Sequence, residues 1–121
     1  MKTIAILGAS NDRRKFGNKA VRAFLQVFPV NPKEETIEGL KVFKSIGDVP
    51  VRSQMVSVYL PPQVLLDVLP EIVARGCNEL WLNPGTESDA VLAEAERLGL
   101  NAIQACSIVG VGLDASPSGK T

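Results

Sequence analysis

TIAILGASNDRRKFGNKAVRAFL, residues 3–25, decides the fold. An unbroken apolar run from Ile4 to Leu7 stops at Gly8 and passes through small and polar residues. It then gives way to Phe16, Ala20, Val21 and Phe24 at helical spacing. A run that is continuous, with no polar alternation, reads as a strand buried on both faces, the environment of a parallel sheet. The stretch is therefore a strand over 3–7, a turn, and a helix over 15–25.

The alternation repeats outward from there. VFPV (27–30), MVSVYL (55–60), ELWL (79–82) and NAIQA (101–105) read as further strands. Residues 64–76 and 87–99 read as helices, each closed by a glycine suited to a helix stop. Strand–helix alternation of this kind predicts a doubly wound α/β domain with a five-stranded, mainly parallel sheet and helices on both faces. The domain is expected over residues 1–113, with DASPSGKT (114–121) as a loose polar tail. Pro70, inside the second helix, predicts a bend or a restart. AFLQVFPVNP leaves almost no connection between helix and strand, so either the first helix stops near Ala23 or residues are missing between Leu25 and Phe28.

The 121 residues suffice for one domain with a core of its own, and 45% apolar with 21% charged residues is ordinary globular composition. Thirteen basic and thirteen acidic side chains leave no long-range attraction for nucleic acid or a membrane surface, so any anion site must be local. Two cysteines, Cys77 and Cys106, make no disulfide framework, and the absence of histidine argues against metal sites and histidine-based acid–base chemistry. The opening MKTIAILGAS is too short for a secretory leader, and no stretch approaches the ~20 apolar residues of a membrane helix. A reduced, cytoplasmic protein is the expectation.

In an open parallel sheet, ligands bind beyond the carboxyl ends of the strands, where backbone N–H groups and helix starts face them. Gly8 opens the first such turn. Ala9 and Ser10 keep its backbone approachable, Asn11 or Asp12 can cap, and Gly17 lets the helix pack closely. A phosphate fits there, although GASNDRRKFG is not GxGxxG and a plain strand–helix turn explains the stretch by itself equally well. SGKT at residues 118–121 lacks the upstream glycine and strand of a P-loop. The second strand ends in Asn31, Pro32 and Lys33, with no acidic residue of the kind that holds the ribose hydroxyls of NAD. Tyr59, Pro61 and Pro62 end the third strand as a stiff apolar wall, though Pro62 also suits the first position of a helix. Asn83, Pro84 and Gly85 end the fourth, before a helix capped by Thr86 or Ser88, and form a second candidate anion nest.

With these strand tips together, the chain resembles the small CoA-binding proteins, whose Rossmann-like fold is shared with the CoA-binding domain of the succinyl-CoA synthetase alpha subunit. The resemblance rests on IAILGAS, VFPVNPK followed by IEGLKVFKSIGDVP, VSVYLPPQVLLDVLPEI, ELWLNPG and GLNAIQACSI, in that order over nearly the whole chain. It implies that Gly8, Ala9, Ser10, Arg14 and Lys15 surround the phosphates of coenzyme A. Asn31, Pro32 and Lys33 would lie beside its nucleotide portion, Tyr59, Pro61 and Pro62 would flank the adenine, and Asn83 and Gly85 would line the pocket. The chain departs from the family pattern by lacking a short glycine-containing stretch near residues 23–28, and by an unusually apolar SIVGVGLD after Cys106.

No catalytic constellation is visible. Cys106 is the one candidate nucleophile, and a thiol there could form a mixed disulfide with CoA, but a cysteine with no positive neighbour is ordinarily a small buried hydrophobe. Three readings stand: non-catalytic binding of CoA or an acyl-CoA, the NAD(P)-binding domain of an oxidoreductase, and a regulatory subunit that contacts a protein. Self-association or an unidentified protein partner is compatible with each.

Overall fold

The computed structural model describes residues 3–24 and 26–105; Leu25, Cys106 and the tail expected at 114–121 lie outside the described residues. Five parallel strands form one sheet: β1 (Ile4–Leu7), β2 (Val27–Val30), β5 (Met55–Val58), β6 (Glu79–Leu82) and β7 (Ala102–Gln104), in the order β2-β1-β5-β6-β7. The register places Ile4 beside Val27 and Met55, Met55 beside Glu79, and Leu80 beside Ala102. Every residue of β1 and β5 is buried, as continuous apolar runs require when both faces are covered.

Alternate residues of these strands serve two cores. Ile4, Ile6, Met55 and Trp81 pack with Ala20 and Val21 of α1 (Phe16–Ala23). Ala5, Leu7, Val56, Val58, Leu80 and Leu82 face the other way, onto α2 (Pro62–Arg75) and α3 (Asp89–Arg97). From α2 the core takes Leu65, Leu69 and Ile72, all fully buried, and truncating any of them to Ala costs about 2–5 kcal/mol.

The short connection after α1 resolves as an early helix end: α1 stops at Ala23 and Phe24 is already extended. Helix α2 begins at Pro62, whose fixed φ suits the first helical position, and it runs unbroken through Pro70. Pro70 is exposed, where water can hydrate the carbonyl that loses its donor.

The crossover from β2 to β5 contains no α-helix. It holds an antiparallel hairpin, β3 (Thr36–Ile37) with β4 (Leu40–Lys41), and a 3-10 turn over Ile46–Asp48. Glu38 and Gly39 supply the positive φ that a two-residue hairpin turn demands, at 50° and 78°. Ile37 and Val42 bury against the α1 side, whereas Ile46 and Val49 bury against the α2 side, so the segment wraps the edge of the sheet. Phe43 N–H donates to Pro29 O and Asn31 N–H to Phe43 O, each at 3.0 Å, which covers the outer edge of β2. Pro29 is tolerated because its missing N–H would have faced that edge.

Candidate functional site

The chain winds from β1 to β2 on one side of the sheet and then crosses to β5 on the other, so its direction reverses between β1 and β5. Ligands of open α/β sheets bind at that reversal, beyond the carboxyl ends. Gly8 and Tyr59 stand there, joined by the Tyr59 N–H donating to Leu7 O at 2.8 Å. Gly8 has φ +87°, and a Cβ on it would lie 2.9 Å from the carbonyl carbon and oxygen of Tyr59. A Cβ on Gly17 would overlap the carbonyl oxygen of Gly8. The start of α1 is thus pressed onto the turn, and only hydrogen fits at either position.

From this turn the loop runs along the α1 side, and its polar groups are largely engaged within the protein. Asn31 Nδ2 donates to Ala9 O at 2.9 Å and ties the tip of β2 to that of β1, while Asn31 Oδ1 accepts from Lys33 N–H at 2.7 Å. Ser10 Oγ accepts from Asp12 N–H at 3.0 Å, and buried Asn18 donates to Ser10 O at 2.9 Å. Arg14 grips Asp12 with two side-chain bonds of 3.0 Å, Nε to Oδ1 and Nη2 to Oδ2. That guanidinium holds the Asp12 carboxyl down at about 2. Glu34 accepts from Asn11 at 2.8 Å, and Glu38 accepts from Asn18 at 3.0 Å and pairs with Arg13 at 3.2 Å. Chiefly the Asn18 hydrogen bond, with Arg13 adding to it, lowers the Glu38 pKa. Lys15 is the N-cap of α1 and its side chain, like that of Lys33, is exposed.

On the other side of the same tips lies a cavity of about 250 Å³. Its apolar lining comes from Leu7, Gly8, Val30 and Pro32 at the strand tips, from Ile46, and from Leu60, Val64 and Val68 at and after the start of α2. Its polar lining is Lys44, Ser45 and Glu71.

The structure therefore brings Gly8, Ala9, Ser10, Asn31 and Pro32 together, with Arg14 and Lys15 at the outer end of the loop. Tyr59 packs toward the α1 side, and Pro61 and Pro62 form the N-cap and first residue of α2, so the apolar wall of the cavity comes from other residues. Asn83 is fully buried and donates at 2.8 Å to both Ser57 Oγ and Val58 O, fastening the tip of β6 to that of β5. Gly85 N–H is taken by Glu87 at 2.9 Å, and Ser88 caps α3.

Sequence reasoning did not single out Lys44, Ser45, Glu71, Glu34 or the hairpin-turn residue Glu38. The one local cue to the hairpin is Gly39, since Glu38 is not among the residues that usually precede glycine in a two-residue turn. Among the described residues no group of three or more His, Cys, Asp or Glu could hold a metal ion, and no helix is long and apolar enough to cross a membrane.

Comparison with known proteins bears on this geometry. The alpha subunit of an ADP-forming acetate–CoA ligase from Pyrococcus furiosus is 31% identical over 78 residues, covering 60% of this chain but only 17% of that subunit. A trans-feruloyl-CoA synthase is 25% identical over 95 residues, covering 74% of this chain and 13% of the enzyme. The chain thus spans a small part of these relatives. A conserved hypothetical protein of known structure from Pyrococcus furiosus superposes with a TM-score of 0.79 at 32% identity, covering 88% of this chain and 94% of the other. The dinucleotide-forming acetyl-coenzyme A synthetase of Ca. Korarchaeum cryptofilum, at 23% identity and a TM-score of 0.73 over 86% of this chain and 25% of its own, shares the fold. The family model described as CoA binding domain matches residues 2–111. With that match spanning the whole parallel sheet and the loop and cavity at its carboxyl end, the chain belongs to the CoA-binding domain family.

Proposed function

We propose that the protein is a cytoplasmic module that holds coenzyme A or an acyl-CoA across the tips of β1, β2 and β5 and performs no chemistry of its own. One observation carries the reading: a polar loop bearing Arg13, Arg14 and Lys15 and an apolar cavity meet at Gly8. A ligand that joins phosphates to an aromatic base needs both surfaces. The diphosphate would follow residues 8–15, and the adenine would enter the cavity lined by Ile46, Leu60, Val64 and Val68. Lys33 and Lys44 are the cations available to the ribose phosphate.

The tip of β2 speaks against NAD. Asn31 is committed to Ala9, Lys33 points outward, and the nearby carboxylate of Glu34 is bound by Asn11. The case against catalysis rests on side-chain chemistry. The chain has no histidine, and burial raises the pKa of the Cys77 thiol against a weaker opposing pull from Arg52. Cys77 also precedes β6, at the end of the sheet opposite the loop. A second reading, in which the domain presents CoA to a partner subunit, is favoured by the match to a ligase subunit. A chain recovered with the protein from native extract in equal amount would support it.

The test is thermal unfolding with CoA, dephospho-CoA and NAD, followed by mass analysis of the recovered ligand. CoA at 100 times its dissociation constant should add about 2.7 kcal/mol and return unchanged. A shift with NAD and none with CoA would overturn the reading.

A further inference from the structure

Resting on the placement of adenine in the cavity, we propose that Glu71 selects the base: its carboxylate accepts a hydrogen bond from the 6-amino group and so discriminates adenine from 6-oxopurines. Val64, Val68 and Glu71 follow one another at i, i+4 and i+7, so one stripe of α2 faces the cavity, apolar near the strand tips and anionic beyond. At 1.5 Å per residue, Glu71 stands ~10 Å along the helix from Val64, so a ring lying against the two valines brings its outer edge toward the carboxylate.

The surroundings sharpen the assignment. The carboxylates across the sheet are already engaged: Asp12 by Arg14, Glu34 by Asn11, Glu38 by Asn18 and Arg13. No hydrogen bond or ion pair among the described residues engages Glu71. An ionised carboxylate can only accept. An exocyclic amine can only donate to it, whereas a 6-oxo group turns lone pairs toward its charge. Sites built to pair one polar group reject the analogue that lacks it, because the protein group is then left unpaired. Lys44, the cation lining the same cavity, donates to Glu34 O at 3.4 Å and carries the opposite charge to Glu71.

Titration calorimetry of the wild type and of Glu71→Gln, each with CoA and with its 6-oxo (hypoxanthine) counterpart, tests the idea. Glu71 is exposed on a helix where glutamine is a good helix former, so the fold should persist, as circular dichroism would verify. The wild type should prefer CoA by ~10-fold or more, the scale of a hydrogen bond to a charged group. In Glu71→Gln the preference should shrink to within ~3-fold, since a glutamine amide can donate to a 6-oxo group as well as accept from an amine. Equal wild-type affinities, or a preference unchanged in Glu71→Gln, would overturn the role of Glu71 while leaving CoA binding intact. Failure of wild-type protein to bind CoA at all would overturn the functional reading and this inference together.

Discussion

The turns after β1 and β6 flank the tip of β5, and each carries a glycine with positive φ, Gly8 at +87° and Gly85 at +95°. In sequence they look alike: an apolar strand, a glycine within a few residues, polar side chains and a helix. In space they differ. Gly8 is hemmed in by the backbone of Tyr59 and Leu60, and Gly17 closes on it from α1, whereas a Cβ on Gly85 would meet nothing within 4 Å. The cause is topological. The turn after β1 lies at the reversal of winding, where the tips of β2 and β5 and the start of α1 converge, while the turn after β6 lies beyond it. Two glycines that look alike in sequence therefore differ in how far neighbouring backbone converges on them.

The most severe way to break this contrast is Gly17→Ala. The methyl would overlap the Gly8 carbonyl oxygen, a backbone atom with no rotamer to escape into, so α1 must move off the loop. We expect a loss of about 3 kcal/mol in urea unfolding, at the upper end for overpacking, together with loss of CoA binding. Gly85→Ala, with open space around it, should cost only the strain of positive φ, about 1 kcal/mol, and leave CoA affinity unchanged. Equal costs at the two sites would show that the crowding at Gly8 does not set the loop.

Charge gives a smaller and more informative effect. Arg14 is almost wholly exposed and already paired with Asp12, so a phosphate must exchange with a carboxylate to reach it. Arg14→Ala should weaken CoA by ~3- to 10-fold, less than an unpaired arginine would yield. Asp12→Asn keeps the oxygen that caps the Arg14 N–H but removes the competing charge, and should tighten CoA by a few-fold. If both variants weaken binding, Asp12 holds Arg14 in place for the ligand; if neither matters, the pair only solvates the surface.

What could be read from residues alone follows from these contacts. The five strands were legible because burial on both faces forces continuous apolar runs, and Gly8 was legible because a strand cannot end so abruptly without a turn residue. The hairpin was not: its strands are two residues long, too short to show periodicity, and Glu38 is an uncommon residue at positive φ. The cavity was invisible because its lining comes from β1, β2, the 44–46 segment and α2, a set that only the crossover assembles. Prolines 61 and 62 form the N-cap and first residue of α2, as the sequence allowed for Pro62, and the cavity beside them is lined by Leu60, Val64 and Val68.

The smallest expected effect is also the most selective, and it concerns acid. Hydrogen bonds from Arg14 hold the Asp12 carboxyl at about 2 against an ordinary 3.8. A depressed carboxyl contributes stability that is fully present above its unfolded value and disappears as pH falls through its folded value. Asp12 therefore contributes a constant amount from pH 7 to 5, and that contribution drains away between about 3.8 and about 2. Glu38 and Glu94 are lowered as well, so the total acid response of the wild type mixes several groups. The difference between wild type and Asp12→Asn isolates one of them. Their melting temperatures should run parallel at neutral pH and converge below pH 4, by a small amount because the pair is exposed. The same pairing keeps Asp12 charged throughout the physiological range, so its competition with a ligand phosphate should not vary between pH 6 and 8. A CoA affinity gap between the two proteins that changed across that range would mean that another group governs the loop.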